Sequence, residues 1–378
     1  MTETTRPLEC SASTLFLAFE LGSTKWLLAF TAPAATQGPR MRTIAPGDLA
    51  SLVTEIDRAK DRFALPRTAP VQSVYEAGRD GFWLHRWLLS QGISNVVVDA
   101  SSIEVNRRAR RAKTDRLDAK KLLAQLQRWA GGEPRVWSVV HVPTPEAEAA
   151  RQVTREIEAV RQDRTRIRNR LQSLLATQGI RCALGGEFVH RLAALRTGDG
   201  RALLPVWRAR LTREWEQLQQ IEGRLEALRG QRRTTLAELP GRVGEVARQL
   251  ARLKGVGDTG AAICSTELFG TRTFAKRTQI GALLGLVPMP YRSDQLVRDQ
   301  GISKAGRGEL RRVSVQLAWC WIRWQPTSAL TRWFHGRFGT SGRTRRIGIV
   351  AVARKLMVAL WRFVERGIIP EGAALKPL

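Results

Sequence analysis

The sequence has no long apolar run, little cysteine, little histidine and few acidic residues, and each shortage closes off a class of protein. No stretch approaches the roughly 18 to 20 apolar residues that a membrane-spanning helix needs. The segment MTETTRPLECSAS lacks a basic start followed by an apolar core, so it does not read as a secretory leader. Cys10, Cys182, Cys264 and Cys320 lie far apart with no C-x-x-C pair, which argues against a zinc module and a disulfide framework. A reducing cytoplasmic setting with no membrane role is therefore expected. His85, His141, His190 and His335 share no spacing typical of a metal site or a triad and are read as structural. There is no internal repeat and no long low-complexity segment.

What the chain has in excess is positive charge. Its 378 residues carry 62 Lys and Arg against 34 Asp and Glu, a formal charge of +28. A compact chain with that imbalance repels itself unless a polyanion is usually nearby. Nucleic acid is the first candidate and an anionic membrane surface the second. Apolar residues make up 43% of the chain, enough to build packed cores, and the length suits two or three domains.

Residues 15–31 read as two apolar strands joined at Gly22-Ser23-Thr24. A helix starting at Asp48, a β-rich run at 71–78, a helix at 81–92 and a buried strand at 96–100 follow. An amphipathic helix over 113–130 completes an alternation that predicts a mixed α/β domain. After Pro143 and Pro145 the pattern changes. Val153, Ile157, Val160, Ile167, Leu171 and Leu174 form a heptad seam interrupted by Arg164, and Leu211, Trp215, Leu218, Leu225 and Leu228 form a second. The two seams predict an antiparallel coiled-coil arm with an irregular tip, or two bundle helices packed on a core. Pro240 ends this region. The G-V-G turn in LKGVGDTGAAICSTELFG (253–270) is similar to a helix-hairpin-helix, whose backbone amides can hold a phosphate. Residues 280–367 alternate Gly-rich loops with helices and carry Trp319, Trp321, Trp324, Trp333 and Trp361.

Two constellations could carry chemistry. Glu20 and Glu76 stand at the ends of apolar strand runs, where an unpaired charge is costly. Asp115 and Asp118 are three apart, so a helix projects both from one face. Four such carboxylates could hold two Mg²⁺ ions, which suit oxygen ligands and assist phosphoryl transfer. Solvated carboxylates are nonetheless common, and D-x-x-D often occurs by chance. Arg107, Arg108, Arg110, Arg111, Lys113, Arg116, Lys120 and Lys121 surround the aspartates, as a phosphodiester substrate requires. The second constellation is VPMPYRSDQLVRDQGISKAGRGELRR (287–312), with Ser293 beside Arg292 and Arg298, and with Lys304, Arg311 and Arg312 further on. A serine hydroxyl becomes a useful nucleophile when its proton is removed and cations neutralise the attacked phosphate. Ser303 is a rival in the same segment.

In this order, Glu20, YEAGRDG with Glu76, and KTDRLDA with Asp115 and Asp118 resemble the acidic motifs of DEDD-type insertion-sequence transposases. LKGVGDTGAA…LFGTRTFAKRTQIGALLGLVPMPYRS…GISKAGRGELRR is similar to the C-terminal transposase domain of the same family. The resemblance covers nearly the whole chain. It implies a resolvase-like, ribonuclease H-like domain over 12–142, a helical coiled-coil arm over 143–240, and a mainly α-helical transposase domain over 241–370. Glu20 falls on the first acidic position, where Asp is usual, and Glu76, Asp115 and Asp118 fall on the other three. Ser293 falls on the nucleophile, counted back from G-I-S-K, although the usual S-S-G reads Arg292-Ser293-Asp294 here. Ser303 belongs to the I-S-K motif itself. The resemblance further implies Mg²⁺, donor and target DNA, a structured bridge RNA that pairs with both, and a homodimer or homotetramer. Arg107, Arg108, Arg111, Lys113, Arg292, Arg298, Lys304 and Arg311 are the expected nucleic-acid contacts. The expected function is recombination through a phosphoserine intermediate. A metal-dependent junction nuclease and a non-catalytic nucleic-acid-binding scaffold are the alternatives.

Overall fold

A computed structural model of the chain describes residues 13–33, 35–103, 114–133, 136–293, 296–338 and 342–376. The chain divides into two compact units, residues 1–142 and 143–378.

The first unit is built on a five-stranded sheet of order β3-β2-β1-β4-β5. β1 (Leu15–Leu21) and β2 (Trp26–Thr31) are the expected hairpin, with Phe16 opposite Thr31 and Leu21 opposite Trp26. β4 (Val71–Glu76) runs parallel to β1, and β5 (Ser94–Val98) parallel to β4. Parallel neighbours need a crossover, supplied by α1 (Leu49–Arg62) and α2 (Trp83–Ser90). Asp48 caps α1 by accepting from the Ser51 amide at 3.0 Å. α3 (Asp115–Ala130) follows, capped by Thr114. Strand residues alternate between two cores. Leu15, Leu17, Phe19 and Tyr75 pack with Leu52, Ile56, Leu84 and Leu88 of α1 and α2. Phe16, Ala18, Val74, Val96 and Val98 pack with Ala119, Leu122, Leu126 and Trp129 of α3. The sheet is thus covered on both faces.

One strand was not foreseen. β3 (Arg40–Ile44) pairs antiparallel with β2 at the sheet edge, although two of the five residues in its sequence RMRTI are arginines. The buried Glu55 of α1 explains it. Its carboxylate accepts from Arg40, and from Arg58 at 2.7 Å, with Arg42 at 3.6 Å, so it ties the edge strand to the helix. Burial pushes the Glu55 carboxyl upward, but Arg40 and Arg58 outweigh this and hold it below the usual range.

The second unit opens with α4 (Pro145–Thr177) and α6 (Pro205–Glu238). Each is about 50 Å long at 1.5 Å per residue. Arg170 reaches Glu214 at 2.8 Å while Arg224 reaches Glu156, so the two helices run antiparallel. The predicted seams meet: Ile157 and Val160 pack with Leu225 and Leu228, and Ile167 and Leu171 with Leu211, Trp215 and Leu218. The connecting segment is more ordered than an irregular tip. Ile180, Phe188 and Leu192, the last two from the short α5 (Phe188–Leu192), join Leu203 in extending the apolar core over the helix ends. At the other end Ala147, Ala150, Leu236 and Leu239 pack on Val243, Ala247 and Ala262.

The remainder packs around a second large core. It comprises α7 (Gly241–Ala251), α8 (Asp258–Cys264), a π-helical turn (Ser265–Phe269), α9 (Arg277–Leu284), the hairpin β6 (Pro288–Ser293) and β7 (Leu296–Ile302), α10 (Gly308–Trp324), α11 (Ala329–Phe338) and α12 (Gly342–Arg366). In the G-V-G turn, Gly255 has φ +80°, and a Cβ there would stand 3.2 Å from the Cys320 carbonyl oxygen. This glycine lets the turn lie against the backbone of α10. The helix it leads into, α8, begins with Asp258, whose carboxylate is 3.6 Å from Arg233. Among the described residues Cys182, Cys264 and Cys320 carry free thiols, and burial pushes the Cys264 thiol up to about 12. No helix among the described residues is long and apolar enough to cross a membrane.

Candidate active site

The alternation of the sheet decides where two of the four carboxylates point. On β1, Phe16 and Ala18 face α3, so Glu20 continues that face. On β4, Val74 faces α3, and Glu76 continues the same face. Phe19 lies opposite Tyr75 in the parallel register, so the two glutamates follow side by side at the carboxyl ends of adjacent strands.

The two aspartates come from the helix that covers this face. Asp115 precedes Ala119 by one turn and Asp118 precedes Leu122 by one turn, and both Ala119 and Leu122 are buried against the sheet. The carboxylates therefore prolong the apolar stripe of α3 beyond the sheet edge. Residues of this type in a first helical turn are also favoured by the helix dipole, so local stability and site geometry ask for the same residues. Asp115 Oδ2 is 3.2 Å from Lys25 Nζ, in the turn between β1 and β2. That ion pair sets the start of α3 beside the end of β1. Lys25 is a neighbour of the candidate carboxylates that sequence reasoning did not single out.

Oxygen donors of this kind suit a hard divalent cation. The set is open, however: among the described residues no three His, Cys, Asp or Glu side chains are close enough to hold a metal ion. Four carboxylates share one end and one face of the sheet without closing into a ready-made cage. Arg107, Arg108, Arg111 and Lys113 lie outside the described residues.

Ser293 is the last residue of β6 and pairs with Leu296 across the hairpin, while Arg292 pairs with Val297 and Tyr291 with Arg298. Ser293 thus stands at the turn end. The side chains of Arg292, Ser293 and Arg298 lie outside the described residues. Ser303 is at the opposite end, where its amide donates to the Val287 carbonyl at 2.9 Å. Six strand residues at about 3.3 Å each put roughly 20 Å between the two serine positions.

The hairpin root is stitched to α9 by the I-S-K-A-G-R loop. The Lys304 amide donates to Gly285 O at 3.2 Å, and the Arg307 amide to Leu283 O at 3.1 Å. The Arg311 guanidinium donates to the Leu284 and Lys304 carbonyls, so it caps the end of α9. Lys304 is exposed and has φ +52°.

A further ionic group lies behind this loop. Glu267, in the π-helical turn, is only 3% exposed. It accepts from Arg155 of α4 at 2.8 Å and from Arg307 at 2.6 Å. Burial pushes its carboxyl up, but the two arginines overcome this and hold it below the usual range. Arg312 of α10 adds a second tie to α4 through Glu158, at 2.6 Å. Glu267 was missed in the sequence, although a charge inside the apolar run ICSTELFG is the signal that singled out Glu20.

A family model described as "Transposase IS116/IS110/IS902 family" matches residues 247–332, which include Glu267, Ser293, Ser303 and Arg307. A model of the DEDD transposase domain of IS110, described as "Transposase", matches residues 49–178, which include Glu76, Asp115 and Asp118. The chain is 39% identical over 376 residues to y4rJ of Sinorhizobium fredii, a protein assigned as a transposase, covering 96% of this chain and 94% of the relative. The chain belongs to the IS110 family of insertion-sequence transposases. As an IS110-family transposase it takes DNA as substrate, and its chemistry is the cutting and rejoining of strands. More distant similarity reaches the transposase for insertion sequence element IS1328 of Yersinia enterocolitica, at 25% identity over 61% of this chain and 68% of the relative. It also reaches y4qE of Sinorhizobium fredii, likewise assigned as a transposase, at 28% identity over 77% and 74%.

Proposed function

We propose that this transposase recombines DNA through a covalent phosphoserine at Ser293, and that Glu20, Glu76, Asp115 and Asp118 are a catalytic acidic quartet that assists it. The observation that carries the reading is the position of Ser293 at the turn end of a hairpin whose root is fixed by the I-S-K-A-G-R loop. The Ser293 Oγ bonds to phosphorus as one phosphorus–deoxyribose oxygen bond breaks, and the serine proton passes by way of a base to the departing deoxyribose oxygen. The freed deoxyribose hydroxyl of a partner strand later attacks the ester, restoring the diester and the serine. No external energy is needed because the ester keeps the bond energy. In the same reading, residues 12–142 are a ribonuclease H-like, resolvase-like domain, 143–240 a coiled-coil arm that contacts a second copy, and 241–370 the serine-bearing domain. Arg292, Arg298, Lys304 and Arg311 with Arg107, Arg108, Arg111 and Lys113 contact nucleic acid, and a structured bridge RNA selects donor and target.

The acidic quartet would hold a divalent cation, Mg²⁺ by its donor chemistry, which supplies charge neutralisation near the phosphate. The set is open, and Asp115 is paired with Lys25.

A denaturing gel of the full chain with labelled donor DNA, target DNA and the RNA encoded beside its gene tests the reading. Wild type and Ser303→Ala are expected to form a covalent protein–DNA band, and Ser293→Ala to form none while binding DNA as before. Asp115→Asn and Asp118→Asn are expected to lower cleavage by orders of magnitude with little change in folding. An adduct that persists in Ser293→Ala and disappears in Ser303→Ala would transfer the nucleophile to Ser303. Cleavage without any adduct in wild type would leave a metal-dependent nuclease as the better account.

A further inference from the structure

Within the second unit, α9, α10, α11, α12 and the segment after α12 line a half-open cavity of about 770 Å³. Its floor is Trp321, fully buried and fixed by donation from its Nε1 to Ser328 Oγ at 2.8 Å. One wall is apolar: Val358 of α12, with Ile368 and Ile369 from the segment beyond it. Those two isoleucines are 51% and 46% exposed and adjacent in sequence, so together they present apolar surface at the cavity. The lining also carries Arg277 of α9, with Arg354 and Arg362 of α12 each one helical turn from Val358. Lys355 also borders the space, but its ammonium sits over the Trp333 ring at 4.6 Å. Among the described lining residues the one carboxylate is Glu371, which has Arg332 at 3.8 Å.

An apolar slot with three arginines in its lining fits a ligand with a flat, weakly polar body and an attached anion. A nucleotide has that form, its base seated against the isoleucines and its phosphates within reach of the arginines. The position strengthens the match. Val287, the residue before β6, lines the same cavity, so the seat borders the root of the serine hairpin. The volume exceeds what one base needs, leaving room for the flanking sugar and phosphate.

We propose that this cavity is a binding seat for one unstacked nucleotide of a single-stranded segment, placed at the root of the Ser293 hairpin. The proposal rests on the reading of the chain as a nucleic-acid recombinase and adds a site to it. Neither Ser293 nor the carboxylate quartet takes part. Binding energy comes from apolar contact with the base, and the three arginines hold the backbone beside it. The strand has two sources, a displaced DNA strand or an RNA, and the shared chemistry is the unstacked base with its phosphate.

The test uses the full chain and short single strands, DNA in one arm and RNA in the other, each with one photoreactive thio-pyrimidine. Matching strands lacking the base at that position complete the set. Wild type is expected to crosslink at α12 or at the segment containing Ile368 and Ile369. It is also expected to bind the intact strand roughly tenfold more tightly than the strand lacking the base. Val358→Trp fills the slot and is expected to bind both strands equally. Arg354→Gln with Arg362→Gln leaves the slot open and is expected to keep the preference for the base while lowering the salt slope by about 1.4, for two lost single-strand phosphate contacts. The arm with the stronger crosslink identifies the source. Wild-type binding with crosslinks elsewhere and no preference for the base overturns the seat but not the recombinase. Absence of binding by wild type in both arms overturns both. The arginine pair keeps the test decisive if the tryptophan variant does not fold.

Discussion

At the scale of single residues, Glu267 shows how a buried charge becomes structural. Its carboxylate is enclosed by the π-helical turn and satisfied by Arg155 and Arg307, from two other parts of the chain. Glu267→Gln removes the charge that both arginines face. Both arginines reach solvent, so the cost is expected near 2 kcal/mol, below the roughly 3–5 kcal/mol of a fully buried broken pair. The pH dependence follows from the direction of its titration. A carboxyl held below the usual range stabilises the fold above that range, and the contribution disappears as pH falls through the lower folded value. Urea unfolding of wild type and Glu267→Gln should therefore differ at neutral pH and converge on acidification. A gap that stays constant or widens toward acid would mean the ion pairs contribute nothing. The same residue type has another setting at Glu20 and Glu76, which end their strands on the face that α3 covers.

At the scale of elements, the hairpin that bears Ser293 depends on two glycines. Gly285 ends α9 with φ +63°, and a Cβ on it would fall 2.0 Å from the Ala305 carbonyl oxygen. Gly306 has φ +90°, and its Cβ would fall 2.3 Å from Leu283 O. The I-S-K-A-G-R loop can lie on the helix end only because both lack a side chain. Gly306→Ala is expected to cost more than about 2 kcal/mol, through the clash and the left-handed backbone together. Gly308→Ala, whose Cβ would meet only Arg311 Nη2 at 3.5 Å, should stay within about 0.5 kcal/mol of wild type in the same denaturation series. Equal losses at both positions would remove the special role of the loop. The α4–α6 pair shows the converse, a case where pattern suffices. Every apolar seam residue that is three or four places from the next finds a partner, because helical periodicity alone brings such positions onto one face.

At the scale of the whole molecule, the +28 charge is the dominant feature. If about eight Lys or Arg side chains meet phosphates, log affinity for duplex DNA should fall against log salt with a slope near −7. Fluorescence anisotropy across a salt series measures it, and a slope near zero would be incompatible with phosphate-led binding. Substituting Ser293 or Asp118 should leave that slope unchanged, since neither removes a cation.

The sequence alone determined the strands and helices with clear apolar periodicity, the Asp48 cap, the seams of α4 and α6, and the order of the acidic and serine motifs. These are local properties, readable because spacing along a strand or helix maps directly onto a face. Tertiary structure decided what depends on partners distant in the chain. β3 exists because Glu55 neutralises arginines that would otherwise make a poor strand. Glu20 and Glu76 became neighbours only through the parallel register of β1 and β4, and Asp115 was tied to Lys25 across the first turn of the sheet. Glu267, the Gly285–Gly306 contact and the arginine-lined cavity joined residues far apart in sequence, for which no local pattern exists. Burial and charge compensation act through space, so they became visible only once the chain was folded.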